Sequence, residues 1–384
     1  MSGDSLVVQL ICALSAAIGF FVFHRRMKRR VRLFCGSSAA SKQLASAVSS
    51  VATSYSPPLF LSNGHIHTIY ASKFRRPPHL TFERQIIGTP DGGALSLDWL
   101  LPHPPPSTPV LLLLHGLTGG SHEPYMRSLA DRARCSFRVV CLNMRGAAFS
   151  SLATAKAFSA EANSDVRCAI QAVCSAYPGA PIVAAGFSLG ANILFRFLGD
   201  PSSQPCPVKA AVSICNPLDL QRTSDHLAAS RLGRLWSRIM ASNLVRFWSK
   251  HAVPSHPNDP ATPLALAYPD FPQRARRIKN VYDFDKEFVC PMFGHENPES
   301  YYAHSSSYHR LNAITCPVLF LSADDDPITG GIGVGGGELA GMKHAVSVRS
   351  ELGGHCAFLK GWAGWNGNWG DDVSVRFLEA ALRL

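Results

Sequence analysis

Zinc-binding and disulfide patterns are missing from this chain of 384 residues. Its 11 cysteines include no Cys-x-x-Cys pair and no His/Cys cluster with the spacing of zinc ligands. Their number is odd, their spacing is irregular, and no Asn-x-Ser/Thr glycosylation acceptor is present. The sequence therefore gives no sign of a disulfide-stapled scaffold, and these absences favour a reducing compartment for the globular part.

Acidic residues are also scarce, since 26 Asp and Glu face 37 Lys and Arg and leave a net charge of +11. Six of the cations lie in one short stretch: Arg25, Arg26, Lys28, Arg29, Arg30 and Arg32. No aromatic residues are interleaved with this cluster, and it matches no module that binds nucleic acid. Because it lies beside an apolar segment, we expect a membrane surface and no nucleic acid as its partner.

That apolar segment, residues 6–23, predicts a membrane anchor. Eighteen helical residues extend for about 27 Å, close to the ~30 Å hydrocarbon thickness of a bilayer. The basic residues follow the segment, whereas a cleaved signal peptide has them in front. The positive-inside rule then predicts a single-pass protein whose following domain is cytosolic, with the endoplasmic reticulum as one candidate membrane. The alternative is a targeting sequence for an organelle surface.

Residues 186–190 form a Gly-x-Ser-x-Gly motif around Ser188. The apolar run before it, residues 180–185, predicts a buried strand, and residues 191–198 predict a helix. A serine on such a strand-to-helix turn is lifted clear of the backbone, as a nucleophile must be. Glycines are needed beside it because a Cβ there would collide with the neighbouring strand and helix.

Partners for such a serine follow in the chain order Ser, Asp, His that this kind of site requires. A late buried strand ends in three aspartates, residues 324–326, and a further strand candidate leads to Gly-Gly-His ending at His355. His355 can take the serine proton, and a carboxylate can orient its imidazole. We favour Asp326 because a turn-forming proline follows it directly, and Asp325 remains the alternative.

A glycine-rich loop supplies the fourth component. The apolar run Val110–Leu114 predicts a central strand, and His-Gly-Leu-Thr-Gly-Gly follows at residues 115–120. Backbone N–H groups in such a loop can stabilise charge that develops on a substrate carbonyl oxygen. The expected donors are the N–H groups of Leu117 and of Leu189, the residue after the nucleophile. Together the four components predict a serine hydrolase.

Further motifs give a family resemblance over residues 60 to 360. Besides the elbow, they are Leu61–Ile69 with its Asn-Gly-His…Thr pattern, residues 115–121, Asn143–Gly146, Asn216–Leu220, Tyr301–Tyr302, Asp325–Pro327 and Gly353–His355. The chain resembles the YheT-like, type 4 branch of the AB-hydrolase superfamily, which includes membrane-anchored esterases. The resemblance implies an α/β-hydrolase fold and an esterase, lipase or acyltransferase acting on acyl esters or phospholipids.

Two segments depart from that family pattern. Residues 329–337 are glycine-rich where a helix-forming loop is usual, which predicts an irregular segment. They contain a formal Gly-x-Gly-x-x-Gly, but no early βαβ unit contains it, so nucleotide binding is not expected there. The second departure is Ala-Ala-Phe at residues 147–149, where small glycine-rich turns are usual.

The predicted architecture is a mostly parallel sheet with flanking helices, a helical cap and one N-terminal transmembrane helix. The boundaries are an anchor with its basic flank at 1–34, a Ser/Ala-rich linker with one short helix at 35–58 and a hydrolase domain at 59–384. About 100 residues separate two predicted strands, and their helical pattern predicts a cap at about 217–312. The pattern does not set the oligomeric state.

The proposed chemistry needs neither a metal nor an organic cofactor. Three alternatives remain open: an acyltransferase with the same site, an inactive binding protein on the same fold, and a peptidase or thioesterase. A His followed five residues later by Asp, an acyltransferase signature of some related hydrolases, occurs nowhere. Its absence weakens a dedicated lysophospholipid acyltransferase but not acyl transfer to an alcohol.

Overall fold

The structure is a computed structural model that describes residues 14–15, 31–253, 260–361 and 367–384. Apart from Leu14 and Ser15, the predicted membrane anchor at residues 6–23 lies outside the described residues. Within the described part of the chain, none of the helices combines the length and apolar character needed to span a bilayer.

The described strands form one mixed sheet in the order β1-β9-β8-β7-β6-β4-β5-β3-β2. They are β1 (Val31–Cys35), β2 (Phe82–Gly88), β3 (Ala94–Leu100), β4 (Val110–Leu114), β5 (Arg138–Asn143), β6 (Ile182–Phe187), β7 (Val208–Ile214), β8 (Val318–Ala323) and β9 (Ala345–Ser350). Strands β5, β4, β6, β7, β8 and β9 are parallel neighbours, whereas β1, β2 and β3 add antiparallel edges. The prediction of a mostly parallel sheet is confirmed.

Helices cover both faces of this sheet. They are α1 (Ala39–Ala52), α2 (Gly64–Lys73), α3 (Pro124–Ala133), α4 (Asn163–Ala176), α5 (Leu189–Leu198), α6 (Leu220–Ala229), α7 (Arg231–Ala252), α8 (Pro263–Ala267), α9 (Phe271–Ala275), α10 (Val281–Phe284), α11 (Cys290–Phe293), α12 (Pro298–Ser305), α13 (Gly336–Leu339) and α14 (Trp369–Ala381). Because helices lie on both faces, the central strands β4 and β6 carry only apolar residues and glycine, and every residue of both is buried.

The parallel strands bring their carboxyl ends to one edge of the sheet. The loops after β4, β6, β8 and β9 therefore open at the same edge, although more than 200 residues separate the first from the last. In open parallel sheets, ligands bind outside this edge. The fold thus brings together the four segments that carry the predicted site.

The short helix expected within residues 35–58 is present, but the structure contradicts their role as a linker, because most of the segment packs on the domain. Strand β1 pairs antiparallel with β9, and the following helix α1 packs on α14. Leu44 and Val48 of α1 are fully buried, and the Trp369 indole N–H donates to the Val51 carbonyl at 2.9 Å. The Ser/Ala-rich sequence suggested a linker, but its small side chains let a narrow Leu/Val stripe approach the domain closely.

The segment between β7 and β8, where a cap was predicted, is largely helical. Its longest helix, α7, spans 22 residues. Trp248 near the end of α7 packs against the rings of Phe271, Phe284 and Phe288 at centroid distances of 5.9, 5.5 and 5.0 Å. This aromatic cluster fixes the C-terminal half of α7 to the shorter helices that follow it. The N-terminal half of α7 leaves several apolar side chains exposed.

The glycine-rich segment at 329–337 forms turns that end in the single-turn helix α13. Gly330 and Gly331 have φ angles of +66° and +67°, in the left-handed region that favours glycine. A Cβ at Gly331 would also lie 2.6 Å from the Asp324 carbonyl oxygen. These glycines therefore let the chain turn closely over the three aspartates.

Candidate active site

Ser188 lies on the sharp turn between β6 and α5. Its φ and ψ angles of +52° and −122° are strained for a residue with a side chain. Glycines allow the surrounding contacts, because a Cβ at Gly186 would lie 2.6 Å from the Gly190 carbonyl oxygen. A Cβ at Gly190 would lie 2.3 Å from the His115 carbonyl oxygen. The strained turn at Ser188 therefore requires glycine at both Gly186 and Gly190, because a side chain at either position would collide with the backbone.

His355 joins this serine to a carboxylate. Its Nε2 lies 2.8 Å from Ser188 Oγ, and its Nδ1 lies 2.8 Å from Asp326 Oδ2. An ionised carboxylate can only accept, so Nδ1–H donates to Asp326 and leaves Nε2 free to accept from the Ser188 hydroxyl. The three side chains form one hydrogen-bonded chain at the carboxyl edge of the sheet.

The three successive aspartates have three different partners. Asp326 contacts His355, and its other oxygen accepts from the N–H groups of Ile328 and Thr329 at 2.9 and 3.0 Å. Asp325 Oδ1 instead accepts from the Gly354 N–H at 2.9 Å, and Asp324 forms an ion pair with Arg349. The structure therefore places Asp326, and not the alternative Asp325, against the imidazole.

The electrostatics of the pair suit this arrangement. Burial opposes charge on both groups, but the positive charge of His355 holds the pKa of the Asp326 carboxyl below its usual value. Burial likewise disfavours a charged imidazole, but the charge and hydrogen bond of Asp326, together with those of Cys356, raise the pKa of His355 well above its usual value. Asp326 thus strengthens His355 as a proton acceptor.

A pH profile follows from the raised pKa of His355. A general base must be neutral to accept the serine proton, so ester hydrolysis should increase with pH and reach half its maximum above pH ~6.5, the usual midpoint of a histidine. The measurement is kcat/KM for a water-soluble ester between pH 5.5 and 9.5, with the melting temperature followed as a control for unfolding. An acidic limb centred at or below pH 6 would contradict the assignment.

Leu117 and Leu189, the expected oxyanion donors, line the same cavity as Ser188. Leu189 is the first residue of α5, where N–H groups have no acceptor within the helix. In the loop after β4, the Gly116 N–H instead donates to the Tyr125 hydroxyl at 3.0 Å. This hydrogen bond ties the loop to α3.

His115 also holds that loop in place. The His115 Nδ1 lies 2.7 Å from the Gly116 carbonyl oxygen, and its Nε2 accepts from the Met144 N–H at 3.1 Å. Burial lowers the pKa of His115 to about 4, so the ring is neutral near pH 7. A neutral, fully hydrogen-bonded ring positions the backbone and leaves proton transfer to His355.

Thr68 is a site residue that sequence reasoning did not single out. Its Oγ1 accepts from the His355 backbone N–H at 2.8 Å and donates to the Gly64 carbonyl at 2.7 Å. A Cβ at Gly64 would lie 1.9 Å from the Asp325 carbonyl oxygen. Helix α2 therefore packs directly against the loops of Asp325 and His355. The Asn-Gly-His…Thr pattern carried this signal, but the two partners are 287 residues apart.

Two thiols border the histidine. The Cys356 N–H donates to Cys215 Sγ at 3.2 Å. Possible ligand atoms of Cys215, Cys356 and His355 lie within 4.8 Å of one another, the arrangement in the described residues that most resembles a metal site. However, both ring nitrogens of His355 already face Asp326 and Ser188. Burial opposes charge on the Cys356 thiol, but its hydrogen bonds with Cys215 and His355 and the charge of His355 lower its pKa to about 6, so this thiol is part of the electrostatics of the site.

Two cavities meet at Ser188. The smaller one, about 120 Å³, is lined mainly by apolar side chains that include Leu220, Leu227 and Leu244. At its wall, the carboxyl of Asp285 accepts from the Tyr302 hydroxyl at 2.7 Å, and burial raises its pKa to about 7. The larger cavity, about 290 Å³, opens between α2 and α7.

Residues 109–361 match the alpha/beta hydrolase fold family, and this range holds all four strands whose loops build the site. The chain belongs to the α/β-hydrolase fold family. This membership confirms the predicted fold. In the α/β-hydrolase fold, a serine on a strained turn works with a histidine and with an acid that follows a later strand. Ser188, His355 and Asp326 take these three places here.

Relatives of this α/β-hydrolase include proteins named as a lipase, an ester synthase/esterase and a phospholipase. It is 28% identical to a monoacylglycerol lipase of Saccharomyces cerevisiae over 83% of this chain and 79% of that protein. The chain is also 28% identical to the medium-chain fatty acid ethyl ester synthase/esterase 2 of the same yeast, over 78% of this chain and 80% of that protein. It is 27% identical to phospholipase ABHD3 of Homo sapiens, over 99% of this chain and 91% of that protein.

Proposed function

We propose that this α/β-hydrolase is a serine esterase that cleaves carboxylic esters of acyl lipids. The observation that carries the proposal is the hydrogen-bonded chain from Ser188 through His355 to Asp326 beside a mainly apolar cavity. The lipase, esterase and phospholipase names of its relatives support the same chemistry. The reaction uses this chain's own side chains and backbone.

In the proposed reaction, Ser188 Oγ attacks the ester carbonyl while His355 Nε2 takes the hydroxyl proton. The N–H groups of Leu117 and Leu189 bind the oxygen on which negative charge develops. His355 then gives its proton to the leaving alcohol, and an acyl ester remains on Ser188. Water attacks this ester with His355 again as the base, which releases the fatty acid and restores the serine.

The two cavities suit the two halves of such a substrate. The apolar cavity of about 120 Å³ is comparable with a ~150 Å³ apolar cavity that holds one benzene molecule, so it accepts the first part of an acyl chain. The cavity of about 290 Å³ is lined by Lys73 and Arg75 beside the single carboxylate of its lining, Glu123. Its excess positive charge favours an alcohol portion that carries a phosphate.

The finer assignment is to the YheT-like, type 4 branch with an N-terminal membrane anchor at residues 6–23. Support comes from the Asn-Gly-His…Thr segment, whose Thr68 contacts the His355 backbone. The near full-length match to a phospholipase supports it as well. With this anchor, the hydrolase domain would lie on the cytosolic side of its membrane.

Acyl transfer to an alcohol is the second candidate function. One relative is named as both synthase and esterase of fatty acid ethyl esters, which favours this candidate. The same acyl ester on Ser188 serves both reactions, because an alcohol can replace water as the attacking group. The acceptor alone separates hydrolysis from synthesis.

A competitive substrate panel on the purified full chain tests the proposal. It contains monoacylglycerols, phospholipids, water-soluble esters and peptides, with and without ethanol, and Ser188→Ala is the blank. We expect release of fatty acid from at least one lipid ester and fatty acid ethyl ester when ethanol is present. No release by wild type above the blank, or cleavage of peptides in preference to esters, would contradict the proposal.

A further inference from the structure

The mouth of the larger cavity is bordered by exposed apolar side chains. On α2, Ile66 and Ile69 are 51% and 44% exposed. On α7, Leu232, Leu235 and Ile239 are 54%, 52% and 44% exposed, although they occur at the i, i+3, i+7 spacing that normally faces a core. These five residues are called the docking face below. An apolar surface of this kind in a folded domain marks an interaction site.

The two halves of the docking face are adjacent. The Trp236 indole N–H on α7 donates to His65 Nδ1 on α2 at 2.7 Å, and the two rings lie 6.1 Å apart. Ile239 itself lines the cavity that leads down to Ser188 and His355. The docking face therefore surrounds the route by which a substrate reaches the serine.

Positive charge accompanies the apolar side chains. Arg231, Arg234 and Arg238 are exposed and each directly precedes an apolar member of the docking face on α7. The sequence of α7 contains no Asp or Glu, and neither does α2, which ends in Lys73. Apolar residues flanked by cations are typical of helices that lie in the interface of a membrane.

We infer that the docking face binds the surface of an anionic lipid bilayer and holds the mouth of the larger cavity against it. The inference rests on the proposed function, since it gives a lipid ester a direct path from the bilayer to Ser188. Two copies of the same cationic face repel one another, which argues against a second chain as the occupant. Anionic headgroups complement the arginines, and the apolar side chains reach the region below them.

Photocrosslinking in vesicles tests the inference without depending on activity. The full chain with Leu235→p-benzoylphenylalanine is reconstituted into phosphatidylcholine vesicles with or without phosphatidylserine. We expect a covalent adduct with lipid that increases when phosphatidylserine is present. The matched control carries the same group at Leu266, which is 70% exposed on α8, and should give little lipid adduct. Adducts with a second copy, or with another segment of the same chain, would overturn the inference.

Activity gives a second readout. We expect Leu232→Ser with Leu235→Ser to lower hydrolysis of a lipid ester in anionic vesicles about tenfold, because lost apolar contact weakens docking. Hydrolysis of a water-soluble ester should stay unchanged. Arg231→Glu with Arg238→Glu should lower lipid hydrolysis by a similar factor, about tenfold. The same charge change at the exposed Arg276 and Arg277 is the matched control and should have little effect.

The outcomes separate this inference from the proposed function. If wild type cleaves neither the soluble ester nor the lipid, the proposed function fails, while the lipid adduct at position 235 still decides whether the face docks. If wild type cleaves both and the docking-face variants keep the wild-type ratio of lipid to soluble ester hydrolysis, docking at this face is refuted and the esterase stands.

Discussion

Ser188→Ala is expected to lower kcat for ester hydrolysis by about 10⁶-fold, because loss of the nucleophile in a comparable triad costs about that much. The residual rate comes from backbone donors and substrate binding, which the substitution leaves in place. The free energy of unfolding should change little, because alanine retains the Cβ and the substitution removes the hydrogen bond between Ser188 Oγ and His355 without disturbing the packing. The measurements are steady-state hydrolysis of a water-soluble ester and thermal unfolding of both proteins.

A suitable control keeps the fold and the elbow but removes no reacting group. Thr118→Ser, in the loop after β4, fits this purpose because serine keeps the hydroxyl of a residue on the cavity wall. It should retain kcat within about tenfold. A Ser188→Ala protein that folds normally and keeps more than a hundredth of the wild-type rate would contradict the proposed nucleophile.

Asp326→Asn is expected to lower kcat by about 10⁴-fold at pH 7. The asparagine amide can donate to Nδ1, which favours the imidazole tautomer with its proton on Nε2. Nε2 then has no lone pair to accept the Ser188 proton. Because the negative charge that raises the pKa of His355 is also lost, the acidic limb of the remaining activity should move to lower pH. A pH profile of kcat for both proteins measures the two effects.

Asp325→Asn is the matched control, because it makes the same chemical change one residue away. Asp325 accepts from the Gly354 N–H through Oδ1, and an asparagine oxygen can replace that acceptor. Burial raises the pKa of Asp325, so a neutral side chain is tolerated there. We expect less than about a tenfold loss of kcat. A larger loss from Asp325→Asn than from Asp326→Asn would reverse the assignment.

The sequence predicted those parts of the fold that have strong local signals. The run Val110–Leu114 coincides with β4, because five consecutive apolar residues suit a strand that is buried on both faces. The serine elbow is also local, since strand, glycines and helix follow one another directly. Chain order then assigned a later aspartate and a histidine to the same edge, where the structure brings Asp326 and His355 together.

The remaining features depend on contacts between distant segments. Thr68 binds the backbone of His355 across 287 positions, and Cys215 binds that of Cys356 across 141, so no local pattern links either pair. The segment of helix α1 was predicted to be a linker with one short helix because it is rich in Ser and Ala, and only its contacts with α14 show that it belongs to the domain. The exposure of the apolar stripe at the start of α7 is also not readable from the sequence, since periodicity shows which residues share a face but not whether that face is covered.

The most direct test of the central claim is covalent labelling of the purified full chain with a fluorophosphonate, followed by peptide mapping. The serine attacks phosphorus only when a base accepts its proton, so labelling reports the working Ser188–His355 pair and not the mere presence of a serine. We predict one labelled peptide, carrying the modification on Ser188, and no label on Ser188→Ala. An unlabelled wild type under conditions where it is folded, or equal labelling of Ser188→Ala, would contradict the account.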